Sequence, residues 1–167
     1  MKVAILHLSD LHISKDNNQW LQKKAVQIVP AVWNDFSECG KIIIVVSGDI
    51  SNAGTTEEYG YAKEFFRTLL RTFASRGMAG KELENRIICV PGNHDCNYEK
   101  DNAARQMLLV SLRSNASSID NSVYQIMSAV QEEYRTFAKE ELIDKDFTLG
   151  INNNIFIKAG DKTILFR

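Results

Sequence analysis

The sequence predicts an α/β fold in which a βαβαβ unit presents three loops at the carboxyl ends of parallel strands. Three observations carry this. Apolar runs at Val3–Leu8, Ile42–Val46 and Arg86–Val90 alternate with two stretches of helical periodicity. The middle run is nearly all β-branched, the pattern of a strand covered on both faces. Each run leads into a polar motif: Ser9-Asp10-Leu11-His12, Ser47-Gly48-Asp49-Ile50 and Pro91-Gly92-Asn93-His94-Asp95.

The elements follow in order. After the first strand, Leu21, Ala25, Ile28, Val29, Val32, Trp33 and Phe36 recur at helical spacing, and Gly40 closes the helix. Pro30 lies inside it and predicts a kink, because proline removes a donor and crowds the preceding turn. After the second strand, Thr55 and Glu58 have the spacing of a capping box. Ala62, Phe65, Phe66, Leu69, Leu70 and Phe73 form the next apolar stripe, which Gly77 ends. Beyond the third strand the pattern predicts a helix over 100–114 and a second one marked by Val123, Ile126, Met127, Val130, Tyr134 and Phe137. The Ser- and Asn-rich stretch 114–122 reads as a mobile loop between them. Ile155–Lys158 and Thr163–Phe166 flank a glycine-containing turn, which predicts a hairpin. The whole reads as one domain, 1–167: a motif-bearing unit over 1–97, a helical segment over 98–142 and the start of a second sheet over 146–167.

Composition narrows the function classes. The chain has 167 residues, 44% hydrophobic and 25% charged, with a net charge of −1. That is ordinary for a globular protein with a real core. The balance gives no global electrostatic reason for nucleic-acid or anionic-membrane binding. No apolar run has transmembrane length, and the N-terminus lacks the features of a signal peptide, so a cytoplasmic location is the expectation. Cys39, Cys89 and Cys96 are three in number with no Cys-x-x-Cys pair, which predicts reduced thiols. No glycine-rich phosphate loop is present, which argues against a nucleotide-cradling protein.

The motifs bring Asp10, Asp49, His12, His94 and Asn93 to neighbouring strand ends, where α/β sheets bind ligands. Oxygen and imidazole donors gathered in this way suit divalent metal ions. Asp10 and His12 are two apart, which puts them on one side of an extended backbone. Asp49 has oxygens enough to bridge two ions, and Asn93 offers an amide oxygen. His94 could stay off the metal as a proton donor or charge stabiliser. Two ions can clamp a phosphoryl group, activate water and stabilise the leaving oxygen. Taken singly, each motif is ordinary turn chemistry; the conjunction carries the reading. His7, inside the first strand, reads as a packed or hydrogen-bonded side chain.

With Asp-x-His, Gly-Asp and Gly-Asn-His-Asp in this order, the chain resembles the calcineurin-like metallophosphoesterase superfamily. Ser47-Gly48-Asp49-Ile50-Ser51-Asn52-Ala53-Gly54, followed by Glu57-Glu58-Tyr59, is similar to its bacterial branch of cyclic-nucleotide phosphodiesterases. The resemblance implies a four-layer sandwich of two sheets flanked by helices. It implies two divalent ions (Mn²⁺, Fe²⁺/Fe³⁺ or Zn²⁺), with Asp10 and His12 on the first, Asp49 bridging and Asn93 on the second. His94 would be the catalytic acid or leaving-group stabiliser, oriented by Asp95. The expected substrate is a phosphoester, with a cyclic nucleotide or other small diester the first guess; nucleic acid is not favoured.

The chain also departs from the family pattern. The family supplies a further His and a Gly-His-x-His motif in its second half, whereas the only histidines here are His7, His12 and His94. Two explanations compete: a piece of a longer metallophosphoesterase, or a short or split protein that lost catalysis or completes its site with a partner. Either predicts a half-site, weak binding of the second ion, little activity of this chain alone, and an uncovered sheet face that self-associates or pairs with the missing half. A non-catalytic interaction or regulatory module on the same fold is the alternative function.

Overall fold

The computed structural model describes residues 2–78, 87–114, 120–141, 155–159 and 162–166. Strands β1 (Val3–Leu8), β2 (Lys41–Ser47) and β3 (Ile87–Val90) form a parallel sheet in the order β1-β2-β3. Helices α1 (Asn18–Phe36) and α2 (Thr56–Ser75) make the crossovers. Leu6 pairs with Ile44 and Val46 with Cys89, which sets the three strand ends side by side.

One sheet face carries the core. Leu6, Ile42, Ile44, Val46, Ile87 and Cys89 pack with Leu21, Ala25 and Val29 of α1 and with Ala62, Phe65, Phe66, Leu69 and Phe73 of α2. As the β-branched run predicts, Ile42, Ile43, Ile44 and Val46 are all fully buried. The opposite face is less covered. The register puts Ile5, His7, Ile43, Val45, Ser47, Ile88 and Val90 there; Ile43 and Ile88 are buried, whereas Ile5 and Val90 on the two outer strands are 53% exposed. His7 bonds Ser47 Oγ on this face at 2.7 Å.

The capping box at Thr55 forms as the spacing predicts: Thr55 Oγ1 accepts from the Glu58 N–H, and the Glu58 carboxylate accepts from the Thr55 N–H. Helix α1 runs through Pro30 without interruption. The carbonyl that Pro30 cannot engage belongs to Val26, which is 50% exposed and can turn to water instead.

Two details of the later segment differ from the sequence reading. A 3₁₀ turn at Tyr98–Lys100 precedes α3 (Ala103–Ser114), so the helix predicted from residue 100 starts later. The single helix predicted through Phe137 is split into α4 (Asn121–Met127), a 3₁₀ turn (Ala129–Gln131) and α5 (Glu132–Glu141). The split serves packing: the Val130 carbonyl accepts from the Asn97 N–H at 2.7 Å, while Tyr134 and Phe137 of α5 enter the core. The hairpin is present as antiparallel strands β4 (Ile155–Ala159) and β5 (Lys162–Phe166). The expected loop lies mostly outside the described residues, as does the segment joining α5 to the hairpin. The result is a mixed α/β fold with a parallel three-stranded sheet and an antiparallel hairpin.

Candidate metal centre

Asp10, His12 and Asp49 come together at the carboxyl end of the sheet. One ligand atom from each lies within 4.8 Å of the others. The route differs from the simple extended-strand expectation. Asp10 has φ 53°, His12 φ 44° and Asp49 φ 53°, all left-handed. They are the only non-glycine residues with positive φ among those described. Asp and His tolerate this region better than most residues, but it still costs roughly 1–2 kcal/mol each. The surrounding hydrogen bonds hold the strain in place.

Those bonds form a zipper between the first two motifs. The N–H groups of Asp10, His12 and Ile13 donate to the carbonyls of Gly48, Asp49 and Ile50 at 3.3, 2.9 and 2.8 Å. Asn52 N–H returns the contact to the Ile13 carbonyl. Asn17 braces the first loop from below: its Nδ2 donates to the His12 carbonyl at 2.8 Å, and its Oδ1 accepts from Ser14 N–H at 2.9 Å. Ser9 Oγ donates to Asp10 Oδ2.

The third motif is tied to the second through Asp49. Its Oδ1 accepts from the His94 N–H at 2.9 Å. Gly92 makes this approach possible, since a Cβ there would lie 2.6 Å from the Asp49 nitrogen. Gly48, at φ 99°, supplies the turn in front of Asp49.

Asp95 has a different part from the one expected. Its carboxylate is fully buried. It accepts from the N–H groups of Ile50, Ser51 and Gly92 at 3.2, 2.9 and 2.9 Å, and from the hydroxyls of Ser51 and Tyr59, both at 3.0 Å. None of these bonds reaches the His94 ring. Asp95 clamps the second and third loops together beneath the site. The ring is oriented instead by the Asn52 carbonyl, 2.7 Å from His94 Nδ1. A carbonyl only accepts, so Nδ1 carries the proton and Nε2 is the free nitrogen. The His94 ring meets His12 edge to face, with centroids 4.5 Å apart.

Asn93 is exposed on the same loop and, with His94, lines an open cleft of about 280 Å³. Asn17, Asn52, Ser51 and Tyr59 were not singled out for the site by the sequence. Ser51 and Asn52 follow Gly-Asp directly, but a main-chain carbonyl acting on a histidine leaves no residue-type signal.

The donor set fits a divalent cation: two carboxylates and an imidazole converge on one point, held there by strained backbone. Fold and site together describe an α/β protein with a candidate metal site at the carboxyl ends of its parallel strands. Residues 3–163 match the family described as calcineurin-like phosphoesterase, and the chain belongs to that family. Metal-dependent phosphoester hydrolysis is the general activity of this family, and its members typically bind divalent metals. No curated protein and no solved structure matches the chain significantly. Among the described residues, no helix is long and apolar enough to cross a membrane.

Proposed function

We propose that this chain contributes the N-terminal half of a two-metal phosphoesterase site acting on a small phosphodiester or phosphomonoester. The observation that carries the reading is the convergence of Asp10, His12 and Asp49 beside an oriented His94. Asp10, His12 and Asp49 would hold the first ion, and Asp49 and Asn93 the second. When bound, the ions supply Lewis acidity and a water nucleophile usable at neutral pH.

The chain's own residues do the rest. Asp49 Oδ1 is occupied by the His94 N–H, and no hydrogen bond among the described residues engages its other oxygen. His94 keeps Nδ1–H on the Asn52 carbonyl and presents Nε2. In the imidazolium form, Nε2–H can donate to the leaving oxygen, a step typically worth 10²–10⁴-fold. Asp95, through five hydrogen bonds, keeps the His94 loop from drifting relative to Asp49.

The second ion would keep only two ligands from this chain, because no histidine follows His94. The remaining ligands come from another segment or another chain, and the sheet face bearing Ile5 and Val90 is the surface we assign to that pairing or to self-association. The test is hydrolysis of bis-p-nitrophenyl phosphate with and without Mn²⁺, for the wild-type chain and for His94→Asn. Metal-dependent turnover, weak in this chain and lower in His94→Asn, supports the proposal. Turnover indifferent to Mn²⁺ or to His94 contradicts it. Metal-loaded protein with no turnover on any phosphoester favours the non-catalytic module.

A further inference from the structure

We infer that Tyr98 is a specificity-determining residue, its ring stacking on a flat, uncharged aromatic group of the phosphoester whose phosphate sits at the metal centre. The inference rests on the functional reading above and adds the class of organic group the site selects.

Tyr98 lines the same cleft as Asn93 and His94 and is 56% exposed, high for an aromatic side chain. Its ring is not adrift. The Arg105 guanidinium lies 6.0 Å from the ring centroid, and that guanidinium is itself fixed by Asp101 Oδ1 at 3.2 Å and the Met127 carbonyl at 3.1 Å. The 3₁₀ turn that carries Tyr98 is capped by Asn97, whose side chain accepts from the Glu99 N–H. An aromatic face held in place in the cleft that Asn93 and His94 line is a stacking platform with little ordering cost.

Size and charge say what it takes. At about 280 Å³ the cleft falls just below the range of whole small-molecule sites, so it suits one ring system next to the phosphate. Its lining contains no lysine or arginine and includes Glu99, so it does not suit a second phosphate or another anion. Ala53, Cys96 and Tyr98 supply apolar surface, and Asn97 and Thr55 supply polar edges. That combination fits a nucleoside or an aryl alcohol, and not a short alkyl or a phosphorylated group.

The test has two arms. In the first, the chain with labelled tyrosine rings is titrated with adenosine, phenyl phosphate and methyl phosphate, metal-free and Zn²⁺-loaded, and followed by NMR. We expect the Tyr98 resonances to shift with phenyl phosphate or adenosine and not with methyl phosphate. Whichever aromatic probe binds tells an aryl from a nucleoside preference. Tyr98→Ala should weaken that binding about tenfold or more, and Tyr98→Phe should retain it. No shift with either aromatic probe, or equal affinity in wild type and Tyr98→Ala, overturns the inference. In the second arm, kcat/KM for phenyl phosphate and methyl phosphate, followed by release of inorganic phosphate, is compared in wild type and Tyr98→Ala. A fall in the phenyl-to-methyl ratio supports the role; an unchanged ratio with intact turnover overturns it while the hydrolase reading stands. Aromatic binding at Tyr98 without turnover on either ester supports the cleft and counts against the hydrolase reading.

Discussion

The main-chain N–H of His94 donates to Oδ1 of Asp49 at 2.9 Å, so the second and third motifs are one unit and not two loops that happen to be near. The bond orients the carboxylate proposed to bridge two ions, and it positions the backbone of the proposed acid. Gly92 is what lets the two loops approach.

Gly92→Ala should therefore be harmful out of proportion to a single methyl. The new Cβ must push the Asp49 backbone away, and overpacking of this kind costs about 1–3 kcal/mol. Urea unfolding should show that loss, and Mn²⁺ affinity measured on the folded fraction should fall with it. Wild-type stability and affinity together would mean that the close approach is unimportant.

Asp10 tests the cost of holding a ligand in left-handed backbone. Asp10→Gly removes the penalty, whereas Asp10→Ala removes the carboxylate and keeps the strain. The glycine variant should be the more stable of the two by roughly 0.5–1 kcal/mol, after allowing for glycine's extra freedom in the unfolded chain. Both should lose metal affinity. An alanine variant as stable as the glycine one would remove the strain argument.

Tyr59→Phe deletes one of the five hydrogen bonds to the buried Asp95 carboxylate. Bonds to a charged group contribute about 1.5–3 kcal/mol, so the denaturation midpoint should drop accordingly. A change under about 0.5 kcal/mol would show that the other four donors suffice.

The buried acids set an alkaline limit. Burial pushes the Cys89 thiol up to about 12, against an ordinary value of 9.0. It also raises the Tyr59 and Tyr134 hydroxyls well above theirs. Each group stays neutral in the fold but ionises in the unfolded chain. The stabilisation is thus fully present below the ordinary value and is lost as pH climbs towards the folded one. Unfolding free energy should be flat between pH 7 and 8 and decline from about pH 9, by up to about 1.4 kcal/mol per pH unit for each group in play. Cys89→Ala should show a shallower decline. A flat profile to pH 11 would contradict the account.

Much of this was legible in the sequence, for identifiable reasons. The three strands and two crossover helices follow from periodicity, because short apolar runs such as Ile42–Val46 alternate with two stretches of helical spacing. The convergence of Asp10, His12 and Asp49 was legible because residue types able to bind a metal stand at neighbouring strand ends. Their left-handed backbone was not foreseen: alternation along an extended strand was the wrong rule for a loop zipped to its neighbour by main-chain bonds. The exchange of parts between Asp95 and Asn52 was hidden for a similar reason. Adjacent residues look coupled in a sequence, yet Asp95 turns down into the core while the ring of His94 turns towards a carbonyl from another loop. The break between α4 and α5 also escaped periodicity, since both pieces keep an apolar stripe and only the contact of Val130 with Asn97 requires the turn.

The central claim is that Asp49 joins Asp10 and His12 in holding a divalent metal ion. Isothermal titration of Mn²⁺ into the wild-type chain and Asp49→Asn, an almost isosteric change, tests it most directly. The account predicts one firm site and one weaker site in the wild type, with the firm site weakened at least about tenfold in the variant. Two equally tight sites, or affinities that Asp49→Asn leaves unchanged, would contradict it.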